Sequence, residues 1–141
     1  MTLVEARFDK NVQIAMDNSG RDVDVHKFKG TSEFHLSSLV AQSQMQGFFD
    51  LIYVDADHSA KAVLRDAVLA WPLLRKGGVM VFDDYLWGDV FGFNPLYAPT
   101  IGIDAFVNTF RDETIVIDSA PLYQLFVQKT AGWASKNPDA S

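Results

Sequence analysis

The sequence of 141 residues contains no cysteine and few basic residues. Without cysteine there are no disulfides, thiolate metal sites or cysteine nucleophiles, so any bound metal has to be held by oxygen or imidazole ligands. The 12 Lys and Arg residues stand against 18 Asp and Glu, which gives a net charge of -6. Binding of nucleic-acid phosphates needs a concentrated basic face, and the sequence has none. We therefore expect a small-molecule substrate and no nucleic-acid partner.

Long hydrophobic runs are also absent. No apolar segment approaches the roughly 20 residues needed to cross a bilayer, and the N-terminus lacks the basic region and apolar core of a signal peptide. These absences predict a cytoplasmic protein with no membrane partner. The sequence also lacks the Gly-x-Ser-x-Gly elbow, the phosphate-binding Gly-Lys-Ser/Thr loop and the His-Glu-x-x-His helix, which argues against hydrolases, kinases and zinc proteases.

The composition is ordinary for a folded globular protein, with 48% hydrophobic and 21% charged residues. A chain of this length can bury roughly two-thirds of its unfolded surface in one core. No repeat or low-complexity block divides the chain. We predict a single domain over residues 1–130, followed by a polar, flexible tail over residues 131–141.

The most informative segment runs from residue 49 to residue 87. Two short apolar runs, 51–54 and 79–82, are rich in β-branched residues, as buried strands of a parallel sheet are. A helix is predicted between them, because apolar residues recur there at three- and four-residue steps. These residues are Ala60, Val63, Leu64, Ala67, Val68 and Trp71. Pro72 ends this helix, and the glycines at 77–78 turn the chain into the second strand. The segment is therefore predicted to form a βαβ unit.

Carboxylates follow each of the two predicted strands. Asp55 and Asp57 come after the first strand, and Asp83 and Asp84 come after the second. A right-handed crossover places both strand ends at one edge of the sheet, where open α/β folds bind their ligands. Carboxylates that converge repel one another, so they take up protons or bind a cation such as Mg²⁺, Ca²⁺ or Mn²⁺. The alternative is that these side chains are only solvated or cap helices.

The other elements complete an α/β fold. Alternating apolar residues predict a strand over 22–28, and two further runs, 114–118 and 122–128, predict an antiparallel pair. A helical stripe is present near the N-terminus, and another helix is predicted over 103–110. Together these elements predict a mixed sheet of about five strands, flanked by helices and closed by the antiparallel C-terminal pair.

The motifs in 49–87 resemble those of class I S-adenosylmethionine-dependent methyltransferases, which have a Rossmann-like fold. They are Val-Asp-Ala-Asp-His at 54–58, Leu-Arg-Lys-Gly-Gly at 74–78 and Phe-Asp-Asp-Tyr-Leu-Trp at 82–87. The order of elements is similar over residues 5–129, and the likeness is greatest to the small-molecule O-methyltransferases. The resemblance implies methyl transfer from S-adenosylmethionine to an oxygen of a small molecule.

The resemblance also implies a divalent cation, Mg²⁺ or another. In the caffeoyl-CoA and catechol O-methyltransferase group, an Asp after the fourth strand and an Asp-Asn pair after the fifth bind the metal. These ligands fall on Asp55, Asp83 and Asp84, with Asp in place of Asn at the last position. A related bacterial group has Asp-Gly-Asp-His after the fourth strand and Asp-Tyr after the fifth, which is more similar to His58 and Asp84-Tyr85 here.

The cofactor-binding residues implied by the resemblance are Gly30, Thr31, Ser32, Asp55 and Ala56. The first three match the loop that flanks adenine in the family. The family's glycine-rich loop after its first strand, and the acidic residue that ends its second, have no counterpart in this sequence. The sequence thus looks like the family fold without its first βαβ unit.

Three interpretations of this departure stay open. The chain is a methyltransferase, or it is a truncated or degenerate domain that no longer catalyses and acts through protein association. In the second case an exposed sheet edge would favour a homodimer. The third interpretation is a relative that modifies sugars or nucleotides with the metal but without the methyl donor.

Among the individual side chains, His58 is the candidate catalytic base, with Asp55 as the second catalytic residue. An imidazole in an acidic loop is well placed to deprotonate a hydroxyl group; the alternative is a surface or capping histidine. Tyr85 and Trp87 are candidates for a substrate pocket that favours a flat or aromatic acceptor. Their expected neighbours in that pocket are Phe91, Phe93 and Tyr97. The alternative is a small hydrophobic cluster that covers the sheet edge.

Overall fold

The computed structural model describes residues 3–88, 94–118, 121 and 123–130. In this part of the chain the helices are α1 (Leu3–Ser19), α2 (Ser32–Val40), α3 (Ala60–Ala70) and α4 (Thr100–Thr109). The strands are β1 (Phe49–Val54), β2 (Leu74–Phe82), β3 (Thr114–Ile117) and β4 (Leu125–Lys129). Short 3₁₀ turns occupy Ser43–Met45, Trp71–Leu73 and Pro95–Tyr97. The predicted tail over 131–141 lies outside the described residues.

The four strands form one mixed sheet in the order β1-β2-β4-β3. β1 and β2 run parallel, with Ile52 opposite Met80, and α3 is the crossover that connects them. β4 pairs antiparallel with both β2 and β3, with Val127 opposite Met80 on one side and Val116 on the other. This arrangement confirms the predicted βαβ unit and the antiparallel pair at the end of the domain.

The predicted strand over 22–28 is absent, so the described residues contain four strands rather than about five. Residues 22–28 have no regular secondary structure and are exposed throughout. A strand exists only when a neighbour exchanges backbone hydrogen bonds with it, and sequence alternation alone cannot supply that neighbour. In the described residues β1 is the edge strand, and residues 22–28 do not pair with it.

The second parallel strand begins earlier than the sequence predicts. β2 starts at Leu74, directly after the 3₁₀ turn that contains Pro72, and not at Val79. The glycine turn is present as an irregularity within this strand: Phe49 lies opposite Leu74, whereas Leu51 lies opposite Val79. Gly77 makes this possible, because its φ of 77° is accessible to glycine and costly for most other residues.

The core lies between the sheet and helices α3 and α4. Its fully buried side chains include Met80, Phe82 and Val127 from the sheet and Ile103 and Phe106 from α4. Aromatic rings meet at its centre, where Phe106 lies 5.2 Å from Trp71 and 5.6 Å from Phe82 between ring centroids. The parallel pairing of the two strands, with Val54 opposite Phe82, places the carboxyl ends of β1 and β2 side by side above this core.

Helix α1 has a different relation to the core, since none of its described residues is buried. It is tied to the following segment by ion pairs: Lys27 contacts Asp9 and Glu5, and Lys29 contacts Glu5. Among the described helices, none has the length and apolar character needed to cross a membrane.

Candidate active site at the carboxyl ends of β1 and β2

The loops that follow β1 and β2 bring two carboxylates and an imidazole together. Potential ligand atoms of Asp55, His58 and Asp84 all lie within 4.8 Å of one another. His58 Nε2 is 2.7 Å from Asp84 Oδ2, a distance at which the imidazole N–H donates to the carboxylate. The sequence placed these three residues at one edge of the sheet, and the structure brings their side chains into direct proximity.

Asp84 reaches His58 through an unusual backbone conformation. Its φ is 54°, and it is the only non-glycine residue in the described part of the chain with a positive φ. Such a conformation costs on the order of 1 kcal/mol or more and persists where the surroundings impose it. Asp and Asn tolerate it better than most residues, because their short polar side chains bond locally.

Asp83 points to a different set of partners. Its carboxylate accepts a hydrogen bond from the Tyr53 hydroxyl at 2.7 Å and another from Gln124 Nε2 at 3.2 Å. The hydrogen bond from Tyr53 is the largest influence that lowers the pKa of Asp83. The same bond raises the pKa of Tyr53 to about 12, because it stabilises the protonated phenol. Asp83 is not in the cluster of three, and its predicted role as a metal ligand stays a prediction.

The loop between β1 and α3 places His58 by means of Asp57. The Asp57 carboxylate accepts the backbone N–H of Ser59 at 2.8 Å, and this bond lowers the pKa of Asp57. Asp57 thereby closes the turn before α3, which begins at Ala60. His58 then projects toward β2 and stacks on Trp87, with ring centroids 5.0 Å apart and an interplanar angle of 20°.

Tyr85 and Trp87, in the segment after β2, contact different partners. The Tyr85 hydroxyl donates to Asp104 of α4 at 2.9 Å, and its ring packs against the core. Thr100 donates its hydroxyl to the Tyr85 carbonyl, so α4 holds this loop twice. Trp87 is the one of the pair that faces the cluster, through its contact with His58. Of the expected neighbours, Tyr97 is exposed, and Phe91 and Phe93 lie outside the described residues.

A cleft of about 450 Å³ opens beside the cluster, between α2, α3 and β1. Its apolar wall includes Leu36, Leu39 and Ile52. Its polar groups and small residues include Gly30, Ser32, His35, Asp55, Ala56 and Asp66. Four of the five predicted cofactor-binding residues thus line one cleft. The fifth, Thr31, caps α2 by accepting the Phe34 N–H at 3.4 Å.

Three residues of the site had no signal in the sequence. Tyr53 lies in an apolar strand run, Gln124 lies within the run 122–128 of the predicted C-terminal pair, and Asp66 occupies a helix of ordinary amphipathic pattern. Asp66 is only 5% exposed, and its carboxylate accepts the Ser32 hydroxyl at 2.7 Å and Arg65 Nε at 3.2 Å. This contact ties α3 to the first turn of α2 at the cleft.

The donor sets suit the groups that the resemblance implies. Two carboxylates and an imidazole within 4.8 Å of one another are a donor set of the kind that divalent cations take, and carboxylate oxygens suit Mg²⁺ or Mn²⁺. The volume of the cleft lies in the usual range for small-molecule sites, about 300–1,000 Å³. Its lining is also typical of such sites, since a few polar groups converge within an apolar wall.

Comparison with known proteins gives the class. The chain is similar in structure to the O-methyltransferase TomG of Streptomyces achromogenes, involved in tomaymycin synthesis and solved with S-adenosylmethionine. The TM-score is 0.61 at 18% identity, over 89% of this chain and 59% of TomG. A Corynebacterium glutamicum protein gives 0.63 at 18% identity, over 90% and 58% of the two chains. The Rossmann-like methyltransferase fold is thereby confirmed.

Two further similarities concern methyltransferases. MycE, from the mycinamycin biosynthetic pathway, was solved with Mg, S-adenosylhomocysteine and mycinamycin VI. It gives a TM-score of 0.56 at 18% identity, over 90% of this chain and 36% of MycE. Tricin synthase 2 of Oryza sativa subsp. japonica is 38% identical over 53 residues, which are 38% of this chain and 18% of that protein. The chain spans less than two-thirds of each of these relatives.

The sequence model of a family described as a methyltransferase domain matches residues 2–85, which is more than half of the chain. The chain therefore belongs to this methyltransferase-domain family. The expected membership of the class I S-adenosylmethionine-dependent methyltransferases is confirmed.

Proposed function

We propose that this chain methylates an oxygen atom of a small molecule with S-adenosylmethionine as methyl donor and a divalent cation, Mg²⁺ or a similar ion, at the site. The observation that carries the proposal is the convergence of Asp55, His58 and Asp84 beside the cleft. Family membership supports the methyl-transfer chemistry, and the acidic cluster supports the cation.

In this proposal Asp55 and Asp84 hold the cation, with His58 as the neighbouring nitrogen. A bound cation would polarise a substrate hydroxyl and lower its pKa. Methyl transfer itself is an in-line displacement that requires mainly correct positioning of donor and acceptor. The chain would supply this positioning through the cleft, which Asp55 lines, and through the Trp87 ring, which stacks on His58.

The cofactor would occupy the cleft between α2 and β1. Gly30, Ser32 and Ala56 would lie along it, and the apolar wall would cover the flat face of the adenine ring. Gly30 leaves little room for a side chain, since a Cβ there would lie 2.8 Å from His35 Nε2. Asp55 would stand at the boundary between donor and acceptor, because it belongs to both the cleft and the cluster.

The contact between His58 and Asp84 is compatible with two chemical roles for His58. As a cation ligand it would use one ring nitrogen beside Asp55 and Asp84. As a general base it would donate from Nε2 to Asp84 and accept the substrate proton on Nδ1. His58→Gln separates the two roles. Mn²⁺ affinity that falls by about tenfold or more assigns the ligand role, whereas a lower rate at unchanged affinity assigns the base.

Isothermal titration tests the proposal directly. S-adenosylmethionine and its demethylated product would be titrated into the purified 141-residue chain with and without Mg²⁺. Asp55→Asn with Asp84→Asn is the test variant for the cation, and Asp50→Asn is its matched control, an exposed carboxylate of β1 that pairs with Arg75 outside the cluster.

Each outcome of this titration has a definite meaning. Micromolar cofactor binding that is strengthened by Mg²⁺ in the wild type and in the Asp50 control, but not in the double variant, supports the proposal. No binding at millimolar ligand overturns it for this chain as it stands. Cation binding without cofactor binding favours the metal-using relative that has no methyl donor.

A second candidate function is protein association, which includes a homodimer. It is favoured by the edge position of β1 in the described sheet and by two exposed apolar side chains, Leu51 at 59% and Tyr53 at 49%. An apolar strand edge with free backbone groups readily pairs with another chain. Analytical ultracentrifugation of the wild type and of Leu51→Lys would test association through this edge. A wild-type dimer that Leu51→Lys dissociates supports it, and a monomeric wild type overturns the homodimer.

A further inference from the structure

The strained residue Asp84 lies between two anchored neighbours. On one side the Asp83 N–H donates to the Val54 carbonyl at 3.1 Å, and on the other the Tyr85 N–H donates to the Tyr123 carbonyl at 2.8 Å. A left-handed conformation outside glycine persists when neighbouring contacts determine it. The turn that carries Asp84 is thus held by β1 from one side and by the segment before β4 from the other.

Side chains continue this anchoring in a closed ring of hydrogen bonds. The Tyr53 hydroxyl donates to Asp83 Oδ2 at 2.7 Å, and Gln124 Nε2 donates to Asp83 Oδ1 at 3.2 Å. Gln124 Nε2 also donates to the Tyr53 hydroxyl oxygen at 2.8 Å. The three residues come from three different places, which are the end of β1, the end of β2 and the residue before β4.

We infer that Tyr53 and Gln124 are positioning residues of the candidate active site. They hold the Asp83 carboxylate, and through it the adjacent turn, so that Asp84 stays beside His58. Groups that hydrogen-bond and orient the ligands of a metal commonly change its affinity by about 10–100-fold. The claim that the cluster binds a cation rests on the proposed function. The claim that Tyr53 and Gln124 hold the turn does not.

This inference gives Asp83 a holding role that differs from a ligand role. Asp83→Asn keeps one oxygen acceptor for the Tyr53 hydroxyl but removes the negative charge. Because the amide nitrogen of Asn cannot accept from Gln124 Nε2, a holding role predicts that this variant weakens Mn²⁺ binding about as much as Gln124→Ala does, by about tenfold, whereas loss of a charged ligand would weaken it by about 100-fold or more. The larger loss would overturn the holding role.

Mn²⁺ titration of the folded full chain is the first test. We expect Tyr53→Phe and Gln124→Ala each to weaken Mn²⁺ binding by about tenfold or more. Tyr123→Phe is the matched control, because this exposed tyrosine contributes its carbonyl and not its hydroxyl to the turn, and it should bind as the wild type does. In an Asp83→Ala background, Tyr53→Phe should have no further effect, since the shared partner is gone. Wild-type affinity in Tyr53→Phe overturns the inference.

A second test needs no metal. Nuclear Overhauser contacts between the rings of His58 and Trp87, whose centroids lie 5.0 Å apart, report the position of the loop after β2. We expect these contacts to be lost in Tyr53→Phe and kept in Tyr123→Phe; contacts that persist in Tyr53→Phe overturn the inference. If the wild type binds no Mn²⁺, the cation in the proposed function fails, and this measurement alone decides the positioning role.

Discussion

Gly102, in the first turn of α4, is a position where local and tertiary effects have opposite signs. In an isolated helix, Gly→Ala stabilises by about 1 kcal/mol. In the folded protein, a Cβ at this position would lie 2.1 Å from the Ala60 carbonyl oxygen and 2.9 Å from its carbonyl carbon. The obstacle is backbone at the start of α3, which cannot rotate away as a side chain could.

The cost of Gly102→Ala follows from the displacement that it requires. To restore an ordinary contact of at least 3.4 Å from 2.1 Å, α4 and α3 have to separate by at least 1.3 Å at this point. Overpacking of this kind typically costs about 1–3 kcal/mol or more. The same helix carries Ile103 and Phe106, both fully buried, so the movement also loosens the core. Because the obstacle is rigid backbone, we take the upper end of this cost, about 3 kcal/mol, less the propensity gain of about 1 kcal/mol. We therefore expect Gly102→Ala to lower the free energy of unfolding by about 2 kcal/mol net and the Tm by roughly 5–10 °C.

Chemical and thermal denaturation check this expectation, with Asn108→Ala as the matched control. Asn108 lies exposed on the same helix, so its replacement should gain a few tenths of a kcal/mol from helix propensity alone. A Gly102→Ala variant that is as stable as the wild type, or more stable, would refute the reasoning. Because Thr100 of α4 holds the Tyr85 carbonyl, the variant should also weaken ligand binding at the cluster.

Three further predictions follow from single contacts. The pKa of Tyr53 is raised from 10.0 to about 12, so the protonated phenol should contribute fully to stability below pH 10.0 and lose this contribution as the pH rises toward 12. Denaturation of the wild type and of Tyr53→Phe across this range should show a stability difference that disappears at high pH. Lys129 donates to the carbonyls of Trp71 and Leu74 at 2.8 and 2.9 Å, so Lys129→Ala should lower the free energy of unfolding in urea by about 2–4 kcal/mol. Lys76→Ala, at an exposed lysine, is the control and should change this free energy by no more than about 0.5 kcal/mol. Ser32→Ala removes a donor from the buried carboxylate that it contacts and should cost about 1–3 kcal/mol in the same assay, and an unchanged midpoint would contradict that contact.

At low pH the stability should change in the opposite direction, falling as the pH is lowered. The pKa of Asp83 is lowered, chiefly by the hydrogen bond from Tyr53, so the folded state favours the carboxylate. Its contribution is present above the ordinary pKa of 3.8 and is lost as the pH falls through the lowered value. The two titrations therefore limit the stability of one hydrogen-bonded unit from both sides of the pH scale.

Sequence by itself determined the elements that depend on local pattern. The predicted stripe of α3 is buried at Val63 and Ala67 and continues into Trp71 of the following turn, whereas its predicted member Val68 is 42% exposed. The two apolar runs form parallel strands, and their acidic loops meet because chain direction and crossover handedness leave no other edge. These features follow from periods of 2.0 and 3.6 residues and from the short reach of the chain, so they are visible without coordinates.

Only the tertiary structure decided which side chains meet within that edge. Asp83 and Asp84 are adjacent in sequence, yet one turns to Tyr53 and Gln124 and the other to His58. The choice depends on a left-handed φ at one residue and on partners 30 and 41 positions away, to which no local period refers. For the same physical reason residues 22–28 are not a strand: pairing is a non-local interaction, and the described structure supplies no neighbour for them.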